Sequence, residues 1–146
     1  MAKIKEINPL SEEFLYDLYF TAFKSAVVCG VLTQHMAPEY LPDKSFQKLN
    51  KGMSTFYKAH KEAPSFGIII QKFSDDDDVV ALIDDIRSST SVPSQESILA
   101  TLEKYIISVK LQNTYIEIGR FYNAGEHEKA VNALMKYNEW VTGFTL

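Results

Sequence analysis

From Ser94 to Asn123 apolar residues recur at spacings of three and four, the pattern of a helix with a buried side. One stripe runs Ile98, Leu102, Tyr105, Val109 and Ile116, with polar Gln112 where the next apolar residue is due. A second, Leu99, Leu102, Ile106, Leu111, Tyr115, Ile118 and Tyr122, follows a different face. A helix that is apolar on two faces needs two sets of neighbours. Ser94, after Pro93, predicts the N-cap, and Asn123-Ala124-Gly125 predicts the end, with Gly125 in a left-handed conformation. At about 1.5 Å per residue the arm spans roughly 40 Å, more than a small domain needs to cover its own core, so part of it is expected at an interface. A return helix carrying Tyr137, Trp140 and Phe144 completes a predicted hairpin.

Upstream, Ser11-Glu12-Glu13 opens a helical pattern through Phe14, Leu15, Leu18, Tyr19, Ala22, Phe23, Ala26 and Val27 that should continue until Pro38 to Pro42 breaks it. Phe46, Leu49, Met53, Phe56 and Tyr57 predict the next helix, weakened by Gly52 and ending before Pro64. The run Phe66, Ile68, Ile69, Ile70 and Phe73 has strand-like composition. It has no second strand-like run to pair with, and Ser65 stands where a helix cap belongs, so helix is the expectation. Asp75 to Asp78 should cap a further helix carrying Val79, Val80, Leu82, Ile83 and Ile86. The predicted fold is all-α: a compact helical bundle over 1–90, a linker over Ser88 to Pro93, and a C-terminal helical hairpin over 94–146.

With 146 residues, 46% of them hydrophobic, the chain can build one or two compact units. A net charge of −4 and lysines that look scattered argue against a primary nucleic-acid binder, so direct nucleic-acid contact is not expected. Cys29 is the single cysteine and sits in the apolar run Ala26-Val27-Val28-Cys29, which excludes an internal disulfide and fits a buried, inert thiol. The start, Met1 to Glu6, lacks the apolar stretch of a secretory signal, and no segment has the roughly 20 apolar residues of a membrane span. A cytoplasmic protein is the expectation.

Candidate chemistry is sparse. Lys51-Gly52-Met53-Ser54-Thr55 has the wrong order for a phosphate-cradling loop, so this chain alone is not expected to be an enzyme or to hold a cofactor. His35, His60 and His127 are too far apart in sequence to suggest a zinc set. Asp75 to Asp78, with Asp84 and Asp85, could attract a hard cation. Adjacent helical carboxylates diverge, however, and the glycine and terminal glutamate of a calcium loop are absent, so a solvated helix start is the expected role and no metal site is. Tyr137, Trp140 and Phe144 either fold back on the long helix or meet a partner, the first being the commoner fate of an aromatic stripe.

Two resemblances bear on function. Tyr115-x-x-Ile118-Gly119-x-x-Tyr122 followed by Gly125 and Glu128-Lys129-Ala130 resembles the start of a tetratricopeptide repeat, but its turn is one residue shorter and no second copy stands upstream. More of the chain is similar to the N-terminal domain of DnaB-type hexameric replicative helicases, in the version of tailed phages. Phe46 to Tyr57, then Lys58-Ala59-His60-Lys61-Glu62-Ala63-Pro64-Ser65, resembles that domain's aromatic-ended helix, basic stretch and Pro-Ser helix start. Leu111 to Leu134, with Phe121-Tyr122-Asn123-Ala124-Gly125, is similar to its long arm, turn and return helix. The resemblance implies a non-catalytic head that self-associates in pairs or rings and docks a primase or loader, with an ATP-driven motor after Leu146. Leu111, Tyr115, Ile118, Tyr122, Tyr137 and Trp140 are then the expected carriers of hairpin and inter-subunit contacts. The alternative from the same residues is a free-standing helical adapter or phage regulatory protein.

Overall fold

A computed structural model describes residues 10–89 and 94–146. The described residues are all-α: α1 (Glu12–Lys24), α2 (Ala26–His35), a 3₁₀ turn (Pro38–Tyr40), α3 (Lys44–His60), α4 (Phe66–Lys72), α5 (Asp77–Arg87), α6 (Gln95–Asn123) and α7 (His127–Gly143). They divide into two units, residues 10–98 and 99–146, so the boundary falls just inside α6 and not in the loop before Ser94. The expected linker lies outside the described residues over 90–93, as does the N-terminal stretch read for a secretory signal.

The first unit is built by side chains at helical spacing meeting in one core. Leu15, Leu18, Tyr19 and Ala22 of α1 are fully buried, as are Val28 of α2, Leu49 of α3, Ile69 of α4 and Val79, Ile83 and Ile86 of α5. The Tyr19 hydroxyl donates to Asn50 Oδ1 at 2.8 Å, and this pairing lets the phenol sit in the core with its polar end satisfied. Phe46 packs against both Tyr16 and Tyr19, with ring centroids 6.1 and 5.6 Å away. Four helices start on the side chains that the sequence offers for the purpose. Ser11 accepts from Phe14 N, Asp43 from Phe46 N, Ser65 from Ile68 N, and Asp76 from Val79 N.

One expectation is corrected. The pattern from Phe14 to Val27 does not form a single helix: Ser25 is extended at φ −136°, ψ 118°, and separates α1 from α2. Its hydroxyl accepts from Val28 N, so the side chain starts α2, and it donates to Gln95 Oε1 at 2.8 Å. Gly30 of α2 then faces Tyr57 of α3 so closely that an added Cβ would lie 2.7 Å from the phenol oxygen.

Candidate docking surface on the helical hairpin

The second unit is α6 beyond Ile98, a tight turn, and α7. Ser94 Oγ accepts from Ser97 N and starts α6. At its other end Gly125 takes φ +76°. Glu126 N reaches Phe121 O at 2.9 Å and Gly125 N reaches Tyr122 O at 3.0 Å, the paired closure of a glycine-ended helix. The chain therefore reverses, and three contacts successively further from the turn show the arms running antiparallel. Lys129 lies over the Phe121 ring, Lys110 lies over Trp140 at 5.5 Å, and Leu146 N donates to Glu103 Oε2 at 3.3 Å.

The inner stripe of α6 is thus Lys110, Thr114, Glu117 and Phe121, and that of α7 is Ala130, Ala133, Tyr137 and Trp140, with Phe144 just past its end. Thr114, Ala130 and Phe144 are buried. Trp140 stacks on Phe144 with centroids 4.5 Å apart, and Tyr137 and Trp140 line a shared slot with Lys110, Thr114 and Glu117. Of the six residues singled out from sequence, Tyr137 and Trp140 therefore sit between the arms.

The other four lie elsewhere. Leu111, Tyr115, Ile118 and Tyr122 are each one residue on from the inner stripe, a rotation of about 100°. Leu111, Tyr115 and Tyr122 are 51%, 62% and 64% exposed, and Ile118 is half-buried. On α7, Val131 and Leu134 are likewise one residue on from Ala130 and Ala133, and both are exposed. Viewed from one end, a right-handed helix turns clockwise as it recedes and anticlockwise as it returns, so these two offsets swing to the same side of the antiparallel pair. Leu111, Tyr115, Ile118, Tyr122, Val131 and Leu134 form one open apolar face. Val131 and Leu134 are the members that the sequence reading missed. Their signal was a stripe in α7 trailing the aromatic one by a single residue.

Near the turn, His127 stacks on Tyr122 with centroids 4.9 Å apart and planes at 20°, holding that phenol in place. Gly119 lies between Tyr115 and Tyr122, and a Cβ there would meet nothing within 4 Å. A glycine inside a long helix costs about 1 kcal/mol relative to alanine, and no neighbour among the described residues accounts for it.

Among the described residues, no group of three or more His, Cys, Asp and Glu converges as metal ligands would, and no helix is long and apolar enough to cross a membrane. Cys29 is buried in the head, where burial pushes its thiol up to about 11, away from the thiolate form that a nucleophile needs. Asp76 of the aspartate run caps α5 and pairs with Lys48 at 2.9 Å. No protein-family model, curated protein or solved structure matches this chain.

Proposed function

We propose that the chain is a non-catalytic helical docking module that associates with a second copy of itself through the open face of its hairpin. The observation that carries this is the apolar face shared by both arms, with two tyrosines more than three-fifths exposed. Aromatic side chains left to solvent at helical spacing are what protein interfaces are enriched in. A second copy suits the surface. A face made of two antiparallel arms is self-complementary under a two-fold axis, and Gly119 at its centre allows two backbones to cross closely. Burial of such a stripe contributes roughly 25 cal/mol per Å² before association costs.

The likeness of the sequence to the N-terminal domain of DnaB-type helicases supports a more specific reading: an oligomerisation collar of a replicative helicase, with a primase or loader as further partner. A head followed by an antiparallel hairpin is compatible with it. A phosphate-binding loop encoded beyond Leu146 would support that assignment, and its absence would remove it while leaving the docking reading intact.

The docking reading is tested by light scattering on Tyr115→Glu and Tyr122→Ala. Both side chains are exposed, so helicity by circular dichroism should be unchanged while self-association weakens by about 2 kcal/mol or more. Unchanged mass for both variants at low micromolar concentration would refute the assignment.

A further inference from the structure

The head carries a second surface whose chemistry is opposite to that of the hairpin. Between α2 and α3 lies a groove of about 510 Å³, lined by Thr33, Met36, Pro38, Gln47, Asn50 and Ser54 together with Lys44, Lys48, Lys51 and Lys58, and by no acidic residue. These lysines corrected the impression of scattered basic residues. Spaced by four, three and seven positions on one helix, they run along the groove for about 21 Å.

Stability does not explain them. Lys44 occupies the first turn of α3, where the helix dipole disfavours a cation, whereas α1, α5, α6 and α7 each have an acid there. Lys44 and Lys48 repel at a spacing of four. Only Lys48 is neutralised, by Asp76 at 2.9 Å. Lys44, Lys51 and Lys58 have no carboxylate partner among the described residues, in a chain whose net charge is −4. Asp43, next to Lys44, accepts through Oδ1 from the N–H of Phe46 and makes no ion pair with Lys44 among the described residues.

Asn50 points the same way. It is only 8% exposed, its Oδ1 is taken by the Tyr19 hydroxyl, and its amide N–H₂, fixed in orientation by that bond, is left as a donor on the groove. The groove therefore offers three ammonium groups with no carboxylate partner among the described residues, a fixed amide donor and the apolar Met36 and Pro38, and its charge is wholly positive.

We propose that the α2–α3 groove is a second docking site, taking an acidic amphipathic helix from a partner protein. A line of cations over four turns matches carboxylates repeating at three and four residues, while Met36, Pro38 and the lysine stems receive the partner's apolar side. A nucleic-acid strand fits less well, because the lining has no aromatic ring for base stacking and no arginine for bidentate phosphate contact.

The test is fluorescence anisotropy with the full chain and a labelled helical peptide of about four turns, bearing Glu at three- and four-residue spacing on one side and Leu on the other. Lys51→Glu and Lys104→Glu change the net charge equally, but Lys104 lies on α6, outside the groove. Saturable binding weakened about tenfold by Lys51→Glu and less than about twofold by Lys104→Glu is the expected result. Equal losses in the two variants, no saturation by the peptide, or tighter binding of an oligothymidine strand than of the peptide would each overturn the proposal.

Discussion

Gly52 shows how one residue can carry opposite meanings in sequence and structure. In the sequence it weakens a predicted helix. In the fold it lies beneath Phe73, where an added Cβ would sit 2.7 Å from the ring. Gly52→Ala gains about 1 kcal/mol of helix propensity but forces the packed ring aside, an overpacking cost of about 1–3 kcal/mol. We expect a net loss of about 1 kcal/mol in urea denaturation; a stabilised variant would show that the ring yields freely. Such close approaches were not legible, because a glycine in a helical run says nothing of what lies above it. The identity of the core was: Leu15, Leu18, Leu49, Met53 and Ile83 stand at the positions that periodicity assigned, and all are buried.

At the level of elements, caps were the most readable feature, because Ser, Asp and Gly act on their own neighbours and need no tertiary context. Asp76 illustrates what such a residue contributes. Its carboxylate accepts from Val79 N and pairs with Lys48 on α3, which together hold its pKa below the usual carboxylate range, the lysine being the larger cause. A lowered folded pKa means stability that is present at neutral pH and lost as the pH falls through that depressed value, because protonation removes the negative charge that the Lys48 ammonium and the Val79 N–H favour. Asp76→Ala should lower the stability at pH 7 and flatten the acid limb of the stability curve, whereas Asp76→Asn should retain most of the cap. Equal losses for Asn and Ala would assign the effect to the Lys48 pair. The break at Ser25 was not legible. Phe23, Ala26 and Val27 keep spacings of three and four across it, and its partner Gln95 stands 70 positions away.

For the molecule as a whole, α6 is the unusual element, since its apolar residues change fate along its length. Ile98, Leu102 and Ile106 are buried, whereas Leu111, Tyr115 and Tyr122 are open. The two stripes were visible in the sequence. That Tyr137 and Trp140 fold back on the long helix was the favoured expectation, but the exposure of Val131 and Leu134 was not legible, because it depends on the register that the Gly125 turn imposes between the arms. Gly119 separates folding from association on this account. Gly119→Ala should raise the melting temperature of the dilute chain, as expected for about 0.5–1 kcal/mol, and should weaken self-association if two backbones cross there. Stronger association of the alanine variant would remove the close crossing.

The central claim, association through the hairpin's open face, is tested most directly by amide hydrogen exchange on the full chain over a dilution series. The account predicts that protection of residues 111–122 and 131–134 falls together on dilution, while the core of α1 and α5 is unaffected. Exchange at those residues that does not depend on concentration, in a sample whose mass shows it to be oligomeric, would contradict the account.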